Sequence, residues 1–158
     1  MTRQVQRVRM PLWVDPAAVY ATLAQGEPRA IWLDAGPHAT SGLSYISIPT
    51  DTLLTEDVES GDITIFEKLR SSLEHDSTVD ASAAREDGFA LGWVGWLGYE
   101  LAAHTAGVPT AMSRTPDALF VYVDWALEFD HELQHMDLLV LGAPEELTYK
   151  QEELTAVL

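Results

Sequence analysis

The sequence predicts an α+β fold of antiparallel β-sheets flanked by helices, and three observations carry that expectation. Leu119–Asp130 alternates, with Val121, Val123, Trp125, Leu127 and Phe129 facing one way and Tyr122, Asp124, Ala126, Glu128 and Asp130 the other, and a second strand-like run, Met136–Leu141, follows at hairpin distance. Two other segments carry helix signals, one opened by Asp15-Pro16 and one by Asp62. The 158 residues contain no cysteine, so a buried core rather than disulfides or thiolate metal sites must hold them together.

In chain order, Arg3–Val14 places Arg3, Arg7 and Arg9 among Val5, Val8, Met10, Leu12 and Val14, which suits an edge strand. Asp15 can cap a helix whose first residue is Pro16, with Val19, Tyr20 and Leu23 on one face and Gly26 at its end. Ile31-Trp32-Leu33 reads as a short strand within Arg29–Asp34, stopped by Gly36-Pro37, and Leu43–Ile48 reads as another. Asp51–Gly61 is acidic without a base, and a second helix is expected from Asp62 to about His75, with Phe66, Leu69 and Leu73 on one stripe. The Ser, Ala and Asp of Asp76–Asp87 cannot bury much, which suits a mobile surface loop. Phe89–Val94 reads as a fully buried strand, Gly95–Thr105 as a turn and short helix, Gly107–Pro116 as irregular. From Pro144 an acidic helix carries Leu147, Leu154 and Val157. No repeat is visible, and no boundary between two domains.

The charge excludes one class of partner. Twenty-five acidic residues against 9 basic give a net charge of −16, and phosphate neutralisation needs surplus Lys and Arg, so no nucleic acid is expected. The weakly charged stretch Gly88–Ser113 carries only Glu100 and is cut by glycines and Pro109, so it suits burial in protein and not a membrane. No secretory leader pattern opens the chain, which makes the cytoplasm the expected compartment.

Two motifs require context. His131-Glu132-Leu133-Gln134-His135 matches the H-E-x-x-H of zinc hydrolases, whose chemistry needs a helix to set both imidazoles one turn apart on a face. Its flanks are strands, so these residues are expected at a hairpin tip with solvated histidines. Gly92, Gly95 and Gly98 are evenly spaced by three, unlike a dinucleotide fingerprint, and no Walker lysine follows; close backbone packing at a strand-to-helix bend, where a Cβ would collide, is the expected reason. Ser113 with His104, or Ser41 with His38, would be a nucleophile and base, but neither serine sits in a G-x-S-x-G elbow. The tryptophans are expected in the core, the carboxylates on solvated faces. No catalytic residue, metal ligand or cofactor is expected within this chain.

Three separated blocks, read together, are similar to the N-terminal region of aminodeoxychorismate synthase component I, a branch of the anthranilate synthase component I superfamily. They are Ile31-Trp32-Leu33-Asp34-Ala35-Gly36 with Leu43-Ser44-Tyr45-Ile46; Gly92-Trp93-Val94-Gly95-Trp96-Leu97-Gly98-Tyr99-Glu100-Leu101; and Pro116-Asp117-Ala118 with Asp124-Trp125-Ala126-Leu127-Glu128-Phe129-Asp130-His131. The resemblance implies that residues 1–143 form an N-terminal α+β domain and that 144–158 begin a helix or linker toward a chorismate-binding, Mg2+-dependent catalytic domain. The complete enzyme would aminate chorismate with ammonia from a glutamine amidotransferase subunit, in para-aminobenzoate and folate biosynthesis. This portion would be inactive alone, and a face that docks on the catalytic domain would favour self-association when exposed.

The resemblance also implies a ligand site. In anthranilate synthases a Leu-Leu-Glu-Ser motif at the first block forms a tryptophan feedback site. The matching positions are Trp32, Leu33, Asp34 and Ala35, with Ser44, Tyr45 and Ile46 as the other wall. Alanine replaces the serine, and a polar group left without its partner costs ~1–3 kcal/mol, which would weaken tryptophan about ten- to a hundredfold. Two other classes remain open at this point: a small zinc hydrolase using His131, Glu132 and His135, and a regulatory module that binds an amino acid and a partner.

Overall fold

The computed structural model describes residues 3–49, 53–56, 64–76, 79–109 and 114–158. The order is β1 (Val5–Arg9), α1 (Pro16–Leu23), β2 (Ile31–Leu33), β3 (Leu43–Ser47), β4 (Leu53–Glu56), α2 (Ile65–Asp76), β5 (Gly92–Leu97), α3 (Tyr99–Thr105), β6 (Ala118–Val123), β7 (Trp125–Asp130), β8 (His135–Leu141) and α4 (Pro144–Val157). Antiparallel sheets with helices make this an α+β fold. The chain forms two compact units, one from residues 1–50, 78–92 and 123–158, the other from 51–77 and 93–122. Among the described residues no helix is long and apolar enough to cross a membrane.

The larger unit is a five-stranded sheet in the order β1-β8-β7-β3-β2. The β7–β8 hairpin is its centre, pairing Trp125 with Val140, Leu127 with Leu138 and Phe129 with Met136. These six side chains share a face because strand residues alternate. With Ile46, Val19 and Leu154 they form the main hydrophobic core. Helix α1 starts where the sequence places it: the Asp15 carboxylate accepts from the backbone N–H of Ala17 and Ala18 at 2.9 and 3.3 Å, and Pro16 opens the first turn. Helix α4 packs back on β8 and β1 and buries Leu154.

The opposite face of this sheet departs from expectation. Glu128, Asp130 and Asp137 were expected on solvated faces, yet they are 1%, 6% and 4% exposed. Strand β7 is buried on both sides, so its alternation separates an apolar face from a charged one rather than inside from outside. The segment expected to be a loose loop lies against this unit: the Val5 N–H donates to the Asp80 carbonyl at 2.8 Å and the Asp80 N–H to the Arg3 carbonyl at 2.9 Å. Arg85 reaches the buried carboxylates, and the Phe89 N–H donates to the Tyr45 hydroxyl at 3.0 Å.

The single alternating run Leu119–Asp130 is two strands in two sheets. Ala118–Val123 pairs with β4 in the three-stranded sheet β4-β6-β5 of the smaller unit, whereas Trp125–Asp130 pairs with β3 and β8. Period two continues through Asp124, so periodicity alone cannot show the change of partner. Strand β4 was not anticipated within the acidic stretch. Strand β5 starts three residues later than expected, following Leu91 at φ 66 and opening on Gly92 at φ 110, and it is half-buried, with Trp96 46% exposed. The close-packing reason for the glycines holds at Gly95, where a Cβ would stand 1.9 Å from the Leu119 carbonyl oxygen, and at Gly98, where it would stand 2.7 Å from that of Asp117. In α2, Ile65 is fully buried and Leu69 packs beside it, but Phe66 and Leu73 are exposed, so the apolar stripe is rotated from the expected one. Asp62 lies outside the described residues.

Candidate functional site

Pairing of β2 with β3 divides the residues of the first block between the two faces of the sheet. Pairing in β2–β3 sets Trp32 beside Ile46 and Leu33 beside Tyr45, so the two pairs point in opposite directions. Ile46 enters the hydrophobic core, with Trp32 packed at its margin against Tyr20 at 5.3 Å between ring centroids. Tyr45 points to the charged face, where its hydroxyl donates to Glu128 Oε2 at 3.0 Å.

Asp34, Ala35 and Ser44 do meet, and His131 joins them. The Ala35 N–H donates to Ser44 Oγ at 3.0 Å, Ser44 Oγ donates to Asp34 Oδ1 at 3.4 Å, and His131 Nε2 lies 2.8 Å from the same hydroxyl. A serine hydroxyl has one proton and two lone pairs. With the imidazole proton on Nε2, all three are used within the protein. His131 is further placed by Trp13, edge-on at 6.0 Å, and by its own N–H donating to the Gly42 carbonyl at 3.2 Å.

A serine beside an imidazole invites a nucleophile–base reading, but the geometry opposes it. Ser44 is 0% exposed, and the Asp34 carboxylate touches the serine rather than orienting the imidazole. Ser41 and His38 are exposed side chains on the preceding loop. Ser113 lies outside the described residues.

His131-Glu132-Leu133-Gln134 is the turn of the β7–β8 hairpin, as the flanking strands implied, and Gln134 takes φ 51. Asp130 builds this turn: its Oδ1 accepts the N–H of Glu132 at 3.1 Å and of Leu133 at 2.9 Å, while Oδ2 receives Arg85 at 2.6 Å. The histidines are not solvated as expected. His131 is held by Ser44, and His135 Nδ1 is buried without a hydrogen-bond partner. No helical turn carries the two imidazoles, so the arrangement that zinc hydrolysis needs is not formed here.

The charged face is the largest polar cluster that the sequence reading missed. Arg7 donates to Glu128 Oε1 at 2.6 Å and to Asp137, Arg9 pairs with Asp137, and Arg85 reaches Glu128 at 3.0 Å and Asp130 at 2.6 Å. Three arginines thus balance three carboxylates. Burial opposes charge on Asp137, but the Arg9 and Arg7 hydrogen bonds win and hold it below the ordinary carboxylate range. Asp130 is likewise held low against its burial, by the Leu133 N–H and Arg85. Burial pushes the Tyr45 phenol up to about 12, against the N–H of Phe89 and with the Glu128 charge assisting. One signal for this cluster was legible: Arg7 shares the inward phase of Val5 in β1, and Glu128 and Asp130 share one phase in β7. Every carboxylate here is held by a guanidinium, so the cluster ties β1, β7, β8 and the segment around Arg85 together and leaves no free acid or base.

No family model matches the chain. Over 134 residues it is 34% identical to an aminodeoxychorismate synthase of Streptomyces griseus, a match covering 83% of this chain and 18% of that protein. The resemblance to the aminodeoxychorismate synthases holds. A second such enzyme, from Streptomyces pristinaespiralis, is 29% identical over 147 residues, covering 82% of this chain and 20% of the relative. The chain thus spans about a fifth of the length of the curated relatives it matches.

Proposed function

We propose that the chain is the N-terminal, non-catalytic portion of an aminodeoxychorismate synthase, a scaffold for chemistry that other residues perform. The observation that carries this reading is a match over most of the chain to only a fifth of enzymes so named. The polar groups agree with it, since Ser44 is engaged by Ala35, Asp34 and His131, Tyr45 by Glu128, and the carboxylates of the charged face by arginines. Both relatives' names favour the aminodeoxychorismate branch over the anthranilate branch. Chorismate, the glutamine amidotransferase subunit and the cytoplasm enter with that branch. Its Mg2+ would be held elsewhere: among the described residues no three His, Asp or Glu converge to hold a metal ion, and the buried acids face arginines. Phe66, Leu97 and Tyr99, 43%, 50% and 83% exposed on the smaller unit, supply apolar surface suited to docking on a larger partner or to self-association.

In this reading the first block is a weakened tryptophan pocket. The Ser44 hydroxyl is already spent on Ala35, Asp34 and His131, and Tyr45 faces the other way. Growth of a para-aminobenzoate auxotroph tests the proposal. The Streptomyces griseus relative lacking its matching residues is expected to fail alone, this chain is expected to fail alone, and the two together are expected to restore growth. Growth with this chain alone would overturn the reading, as would failure of the pair when both are soluble.

A further inference from the structure

Where β7 begins and α4 starts, the larger unit carries a pocket of about 340 Å3, open to solvent on one side, that belongs to neither cluster described above. Asp124, Trp125, Glu145, Glu146, Tyr149 and Lys150 line it. Trp125 is only 5% exposed, and its indole N–H is buried with no acceptor. Asp124 Oδ1, on the same cavity, is buried with no donor. Buried polar atoms are nearly always paired, so a donor and an acceptor left open beside one cavity point to something that occupies it.

The charge around the cavity selects the occupant. Three carboxylates, of Asp124, Glu145 and Glu146, face one ammonium, that of Lys150, which is itself engaged by Glu153 at 2.8 Å. Glutamates in the first turn of a helix suit its dipole, but Asp124 lies outside α4 and owes nothing to that effect. The Glu146 carboxylate lies against Gly142, where a Cβ would stand 1.7 Å from Oε2. Water could pair the open atoms but would not balance the charge. The carboxylates do not converge as metal ligands would; they ring an aromatic and aliphatic wall. That wall already holds an ammonium, since Lys150 Nζ sits 4.9 Å from the centroid of the Trp125 ring.

We propose that this cavity binds a small organic ammonium compound with an apolar body. Its cation lies among Asp124, Glu145 and Glu146, its body lies on Trp125 and Tyr149, and an oxygen of the ligand accepts the Trp125 indole N–H.

The test uses the whole chain and two matched probes, 2-amino-1-phenylethanol and 1-phenyl-1,2-ethanediol, in which a hydroxyl replaces the ammonium. The indole 1H–15N resonance of Trp125 is assigned by its loss in Trp125→Phe. The amine is expected to shift it saturably, with a Kd of about 1 mM, while the diol leaves it in place. The variant Glu145→Gln/Glu146→Gln, altered at two exposed positions, is expected to weaken the amine tenfold or more with the other indole resonances unmoved. Asp124→Asn is a second, independent variant with the same expected direction. Equal shifts from amine and diol, no shift at tens of millimolar, or full binding by the double variant would each overturn the proposal.

Discussion

Replacing Glu128 with alanine should unfasten the charged face. Its carboxylate receives Arg7 at 2.6 Å, Arg85 at 3.0 Å and the Tyr45 hydroxyl at 3.0 Å, and the residue is 1% exposed. Truncation leaves three arginines facing two carboxylates and deprives a buried phenol of its acceptor. Removing one partner of a buried ion pair costs about 3–5 kcal/mol. Arg7 and Arg85 keep Asp137 and Asp130, and their side chains are 21% and 31% exposed, so solvent screens part of the loss. We therefore expect the low end, about 3 kcal/mol. At a urea dependence of ~2 kcal/mol/M, the unfolding midpoint followed by circular dichroism falls by about 1.5 M. Glu132→Ala, at the exposed hairpin tip, is the control and is expected to stay within ~0.5 kcal/mol. A loss below ~1 kcal/mol in Glu128→Ala would refute the view that this network holds β1, β7 and the Arg85 segment together.

Further outcomes follow from the same geometry. The Tyr45 phenol, pushed up to about 12, favours the folded state fully below the ordinary tyrosine range and loses that contribution as pH rises toward 12. The tyrosinate absorbance missing from Tyr45→Phe should therefore appear only near pH 12 and earlier in Glu128→Gln; appearance at pH 10 would contradict this. Asp130 and Asp137, both held low, contribute stability above the ordinary aspartate range and lose it as pH falls through their lowered values, so the urea midpoint should drop steeply below about pH 4, and less so in Asp137→Asn. Gly95→Ala sets a Cβ 1.9 Å from a backbone oxygen that cannot yield, and should cost ~3 kcal/mol or more in the smaller unit, seen as early loss of hydrogen-exchange protection in β5 and β6. L-Tryptophan titrated calorimetrically into the chain should give no micromolar binding, and a micromolar Kd would show that the Ser44 hydroxyl is freer than its three contacts imply.

Local features were the legible part of this fold. The Asp15-Pro16 cap, the Ile31-Trp32-Leu33 strand and the β7–β8 hairpin depend on neighbours a few residues away, and they stand where capping and alternation place them. Leu119–Asp130 misled because alternation continues across Asp124 while hydrogen-bond partners change sheets, a choice set by chain segments far away. The acids of β7 misled for a related reason. A carboxylate in an alternating strand reads as solvent-facing unless the guanidiniums that bury it are known, and those come from residues 7 and 85. At the candidate site, the Asp34, Ala35 and Ser44 grouping was implied by the family resemblance. Its fourth member, His131, stood inside a zinc-like motif, and the same hairpin that removes the zinc geometry carries its imidazole to Ser44.

The scaffold role stands or falls on where the reacting groups are. Purified chain incubated with chorismate, ammonium and Mg2+, with products separated by chromatography, is expected to form no aminodeoxychorismate above a protein-free blank. Product that accumulates in proportion to the concentration of this chain alone would place the chemistry within these residues and contradict it.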